Sequence, residues 1–130
     1  MRIRRWLPAF AWAVVIFVLC SIPGKDIPTQ EWMQIISLDK LVHAGIFAVL
    51  MLFVLHGYGS SDLIKPLSQT SLLLLFSVIV YGGVTELYQH YFLPDRFADV
   101  YDFIANSFGA IIGLLIYHRY ASGFYRRFYN

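Results

Sequence analysis

Four apolar runs, at about residues 6–22, 41–57, 67–91 and 100–121, leave this chain few ways to fold. Each is long enough to cross the hydrocarbon core of a bilayer as a helix, which takes about 17–25 residues. Lipid offers an unpaired backbone amide nothing to bond, so such a run must satisfy its own backbone, and an α-helix does that. With 58% hydrophobic and only 14% charged residues in 130, the chain also has too little charge to solvate a soluble domain of this size. The expected fold is all-α, a four-transmembrane-helix bundle forming a single domain over residues 1–130, with no internal repeat or low-complexity linker.

Local signals set the expected helix ends. Arg2, Arg4 and Arg5 precede the first run as they would in a signal peptide, but no small-x-small cleavage pattern follows, so the helix is expected to be retained. Pro8 falls in its expected first turn, and Pro23-Gly24 ends it. The loop that follows carries Pro28, Trp32, Met33, Ile35 and Ile36, which suit a short interfacial segment. Asp39 is the expected N-cap of the second helix, with His43 one turn on and on the same side. Gly57, Gly59 and Ser60-Ser61 break that helix, and Lys65-Pro66 leads into the third. The single cysteine, Cys20, excludes an intramolecular disulfide and a Cys-based metal cage. Bulky Leu19 before it does not suit lipoprotein processing, so an ordinary lipid-facing or packed thiol is expected.

Charge then sets an expected orientation. With the N-terminus inside, Arg2, Arg4, Arg5, Lys65, Arg119, Arg126 and Arg127 are cytoplasmic, and Lys25, Lys40 and Arg96 are outside. Both termini are therefore expected to be cytoplasmic. The aromatic and basic tail over residues 117–129 reads as a belt against anionic lipid, so the net charge of +2 calls for no nucleic-acid partner.

This orientation places the start of the second helix, the end of the third and the start of the fourth on the outer side. Asp39, Lys40, His43, Glu86, Gln89, Arg96, Asp99, Asp102 and Asn106 can then share one extracytoplasmic pocket. The inner halves carry no ionisable group deeper than His56 and Tyr117. A carboxylate at a helix centre costs about 2.5–3.5 kcal/mol on insertion scales, so such a cluster has a partner or a task. Helical spacing sets Glu86 beside Gln89, and Asp102 beside Asn106 on a stripe facing the bundle. Asp99 is suited to capping the fourth helix. Arg96 offers a planar fork and Lys40 a point charge for an anion, while His43 with Glu86 or Asp102 can serve as general acid and base. The expected catalytic set is thus His43, Glu86 and Asp102, and the expected binding set is Asp39, Lys40, Gln89, Arg96, Asp99 and Asn106. No metal or cofactor is assigned: Glu86, Asp99 and Asp102 could hold a divalent cation, but their spacing is not diagnostic. Gly109 and Gly113 form a small-x-x-x-small face for close helix packing, and Gly82 and Gly83 are expected to do the same.

These motifs, in this order, resemble the VanZ-like family of small bacterial membrane proteins. The resemblance rests on Ser21-Ile22-Pro23, Asp39-Lys40-x-x-His43, Gly83-x-x-Glu86-x-x-Gln89, Pro94-x-Arg96, Asp102-x-x-x-Asn106 and Gly109-x-x-x-Gly113. It implies a four-helix domain in the bacterial inner membrane, and the founding member is associated with resistance to the glycopeptide teicoplanin. It implies no particular reaction. The functional expectation is a site that binds or acts on a membrane lipid, such as a lipid-linked cell-wall precursor or a phospholipid head group. No nucleophile motif or phosphate loop fixes a reaction type. The alternative is a non-catalytic assembly protein whose polar cluster glues helices together. A transporter is disfavoured, since the inner halves of the spans are oily, although a homo-oligomer could supply what a monomer lacks.

Overall fold

A computed structural model of the chain describes residues 3–23, 38–59 and 67–121. It contains α1 (Ile3–Cys20), α2 (Leu38–Tyr58), α3 (Gln69–Phe92) and α4 (Val100–Ile116), the last continuing into a π-helical turn, Tyr117–Ala121. All four are long and apolar enough to cross a membrane, and no strand occurs among the described residues. The chain is a multi-pass, all-helical membrane protein. Large apolar side chains such as Phe10, Phe76 and Leu115 are more than half exposed on its flanks, as a lipid-facing surface requires.

Two of the expected helix starts move. The first helix begins at Ile3, so Pro8 lies in its second turn and not its first, and one interior amide hydrogen bond is missing there. Transmembrane helices tolerate this where neighbouring groups re-satisfy the backbone. The second helix begins at Leu38, which puts Asp39 inside the first turn and not at the N-cap. Its carboxylate still faces the positive end of the helix dipole. Ser68 caps α3 and Asp99 caps α4, each side chain accepting a backbone hydrogen bond. The expected interfacial segment with Pro28, Trp32, Met33, Ile35 and Ile36 lies outside the described residues. So do Arg2, Gly24, Lys25, Ser60-Ser61, Lys65-Pro66 and the tail residues Arg126, Arg127 and Tyr129.

The helices alternate in direction. Trp6 at the start of α1 meets Gly57 at the end of α2, whereas Tyr81 and Gln89 of α3 reach Ala13 and Cys20 of α1 in parallel register. Phe47, Ile16, Met51 and Leu55, all fully buried, fill the space between them. Side-chain donors reinforce the packing: Trp12 Nε1 donates to the Ile46 carbonyl at 2.9 Å and the Tyr81 hydroxyl to the Ala13 carbonyl at 2.7 Å. Tyr81→Phe is expected to lower stability by about 0.5–1.5 kcal/mol, the usual net worth of one such bond. A lower thermal midpoint in detergent with unchanged helical content would report it.

The closest approach is between α2 and α4, which run parallel. A Cβ on Gly109 would run into the Ala44 carbonyl, and one on Gly113 would stand 2.5 Å from the Ala48 carbonyl oxygen and 2.9 Å from Met51 Cβ. The small-x-x-x-small face expected on α4 therefore meets Ala44-x-x-x-Ala48 on α2. Gly82 does similar work in the third helix, where a Cβ would sit 3.2 Å from the Phe47 ring and 3.3 Å from Asn106 Cβ.

Candidate functional site

The tight α2–α4 seam decides which polar groups meet at its open end. Because the two helices run in the same direction with Ala44 against Gly109, the first turns of α2 face the first turns of α4. Lys40 Nζ is 2.9 Å from Asp39 Oδ2, 3.1 Å from Asp102 Oδ1 and 3.5 Å from Asp99 Oδ2. An ammonium has three hydrogens, and here three carboxylates take them. Lys40, expected as an anion-binding residue, acts in this structure as a brace between α2 and α4.

One turn deeper, His43 Nδ1 lies 2.9 Å from Asn106 Oδ1. An amide oxygen only accepts, so with the amide in this orientation Nδ1 is the donor, and Nε2 is left to present either a lone pair or a second proton. That nitrogen faces Asp102 Oδ2 at 3.7 Å. His43 thus turns to Asp102 and Asn106 on α4, and not to Asp39 on its own helix.

Glu86 enters from α3 and is buried, with 4% of its surface exposed. Its Oε2 accepts from the Asp99 backbone amide at 3.2 Å, which ties the end of α3 to the cap of α4. Among the described residues its Oε1 has no hydrogen-bond partner, nor does Nδ2 of the fully buried Asn106. A buried polar atom without a partner carries a desolvation penalty of about 1–3 kcal/mol, so these two atoms mark where the cluster is incomplete. One metal-ligand-type atom from each of His43, Glu86 and Asp102 lies within 4.8 Å of the other two. Three helices therefore converge on one point.

The remaining expected residues frame this centre. Gln89 is buried, and its Nε2 donates to the Cys20 carbonyl at 3.1 Å, satisfying a helix-end oxygen of α1. The thiol of Cys20 is itself buried. Arg96 sits in the turn between α3 and α4 and lines a cavity of about 490 Å³ together with Gln89, Asp99 and Asp102. Asp95, Phe97 and Tyr101 line it too, although sequence reasoning did not select them. Their signal was their position around the Pro94 turn, where Phe97 at 77% and Tyr101 at 69% exposure form an aromatic rim. Such rings favour the membrane–water boundary. Asp39 is the most peripheral of the set, its side chain more than half exposed and paired, among the described residues, with Lys40.

The arrangement can hold a cation at its centre, exchange a proton through His43, and receive an anion at Arg96. Compared with known proteins, residues 5–122 match the family described as VanZ/LLP1. No curated protein and no solved structure matches the chain.

Proposed function

The chain belongs to the VanZ/LLP1 family, and from that premise we propose that it binds the phosphate-bearing head group of a membrane lipid in an extracytoplasmic pocket. The lipid is a phospholipid or a lipid-linked cell-wall precursor. The observation that carries this reading is Arg96, whose side chain makes no hydrogen bond or ion pair with the described residues and lines a cavity of about 490 Å³. A guanidinium presents a rigid fork that matches phosphate oxygens in pairs. The aromatic rim beside that fork supports a site at head-group depth, and the partition of basic residues favours the outer leaflet of a bacterial inner membrane. His43, Glu86 and Asp102 lie beneath it with acid–base chemistry to offer. The teicoplanin resistance that the family resemblance implies belongs to the same reading, as a consequence of engaging a cell-wall lipid.

The helix-glue alternative draws support from the Lys40 brace. It does not account for Glu86 Oε1 and Asn106 Nδ2, because glue works by giving each buried polar atom a partner.

Native mass spectrometry of the detergent-purified chain tests the proposal, with phosphatidylglycerol, a polyprenyl diphosphate, and diacylglycerol as the control without phosphate. Arg96→Ala is expected to weaken binding of the phosphate lipids about tenfold or more, since a charge-assisted hydrogen bond is worth about 1.5–3 kcal/mol. Arg119→Ala, at the opposite end of the bundle, is expected to leave it unchanged. Equal occupancy in wild type and Arg96→Ala would end the head-group reading. Labelling of Asp95→Cys by a membrane-impermeant maleimide on intact cells checks the side on which the pocket opens.

A further inference from the structure

We propose that His43, Glu86 and Asp102 form the three-point ligand set of a divalent transition-metal ion, with Zn²⁺ and Mn²⁺ as the fitting probes.

The three side chains share a pattern that the head-group reading does not use. Each has one polar atom engaged by a protein donor or acceptor and a second left over. His43 Nδ1 is held by Asn106 Oδ1, Glu86 Oε2 by the Asp99 amide, and Asp102 Oδ1 by Lys40 Nζ. The atoms left over are Nε2, Oε1 and Oδ2. Oε1 is buried without a hydrogen-bond partner among the described residues, and Nε2 stands 3.7 Å from Oδ2. Outer hydrogen bonds that fix a ligand's tautomer and direction while freeing its other atom are the usual support of a metal site.

Charge points the same way. When His43 is neutral with its proton on Nδ1, the Glu86 and Asp102 carboxylates face a nitrogen lone pair among largely buried groups, and Lys40, shared by three carboxylates, pairs with Asp102 but among the described residues makes no ion pair with Glu86. Buried charge requires a counter-charge. A proton can bridge two of these atoms but cannot serve all three. A divalent ion balances Glu86, adds to the Lys40 charge beside Asp102, and accepts the lone pair.

The geometry needs little adjustment. One ligand-type atom from each of the three residues lies within 4.8 Å of the other two, and atoms at the corners of a triangle with 4.8 Å sides lie about 2.8 Å from its centre. Zinc bonds to nitrogen and carboxylate oxygen are about 2.0–2.2 Å, so each ligand moves inward by about 0.6–0.8 Å at most. Torsional adjustment of three side chains on separate helices supplies that. An imidazole beside two carboxylates fits zinc or manganese better than magnesium, which prefers oxygen ligands and near-ideal octahedral geometry. Three protein ligands leave a coordination position open, the arrangement of catalytic rather than structural sites. Asp102 also lines the cavity beside Arg96, which sets the ligand set against the head-group pocket.

The test uses tag-free full-length protein in detergent, stripped with a chelator and titrated calorimetrically with Zn²⁺ and with Mn²⁺, no lipid added. The expected result is one ion per chain, with a rise in thermal midpoint on binding. Glu86→Gln and Asp102→Asn are each expected to weaken binding by more than about a hundredfold and to abolish that rise. Asn106→Ala, which touches the site only through His43, is expected to weaken it by about tenfold to a hundredfold. Circular dichroism confirms that each variant keeps its helices, and His56→Gln, at the far end of α2, serves as a ligand-type control with unchanged affinity. No stoichiometric binding by wild type would overturn the proposal, as would affinities unaltered in both Glu86→Gln and Asp102→Asn. A Glu86→Gln protein that melts above wild type, with neither responding to metal, would show that a proton closes the cluster. Lipid is absent throughout, so failure here is distinct from failure of the head-group reading.

Discussion

Gly109→Ala is expected to cost the bundle more than about 3 kcal/mol, and Gly109→Val to leave no monodisperse protein to purify. A Cβ at this position would come 2.7 Å from the Ala44 carbonyl carbon and closer still to its oxygen. Those are backbone atoms, which cannot swing aside as a side chain does. Relief requires α2 and α4 to separate. Overpacking a core that can adjust costs about 1–3 kcal/mol, and this seam has less freedom to adjust. Separation would also loosen Gly113 against Ala48, the Lys40–Asp102 ion pair and the His43–Asn106 hydrogen bond, since all lie along the same contact. Gly45→Ala provides the contrast: its Cβ would meet nothing within 4 Å. That change is expected to be neutral or to stabilise by up to about 1 kcal/mol, the ordinary gain of Gly to Ala in a helix. Thermal unfolding and size-exclusion profiles in detergent read both. A Gly109→Ala protein that melts with wild type would show that the two helices are not in this register.

That register explains how much of the site could be read from sequence. The spans were legible because lipid imposes length and hydrophobicity on every crossing helix, and the observed ends fall within a few residues of the apolar runs. The clustering of acids, amides and cations at one end was legible from helix alternation and period alone. The pairings were not. Whether His43 meets Asp39 or Asn106 depends on the offset between α2 and α4, which is fixed by Ala44 and Ala48 seating against Gly109 and Gly113. Helical spacing describes one helix at a time and contains no information about that offset. Lys40 shows the consequence: as a lone charge in the sequence it suited an anion, yet the seam surrounds it with three carboxylates. The division of labour between the two oxygens of Glu86 was equally out of reach, because it depends on where the cap of α4 arrives.

Lys40→Met is expected to destabilise the bundle by about 1–3 kcal/mol, and Lys40→Met with Asp102→Asn by less than the sum of the two single changes. The magnitude follows from exposure. Exposed ion pairs contribute about 0–1 kcal/mol, whereas removing one partner of a buried pair costs about 3–5 kcal/mol because the other charge is stranded. Lys40 and Asp102, with side chains 32% and 17% exposed, fall between these limits. Asp39 and Asp99, at 58% and 41%, reach solvent more readily and add less. Without the ammonium, the Asp102 carboxylate repels those of Asp99 and Glu86, and the tie between α2 and α4 is lost. Neutralising Asp102 removes that repulsion, so the double change recovers part of the loss. A double-mutant cycle in detergent is expected to give a coupling of about 1–2 kcal/mol that shrinks only modestly with added salt, since screening acts weakly on partly buried pairs. A coupling near zero would mean that solvent, and not Lys40, neutralises the carboxylates at this end of the bundle.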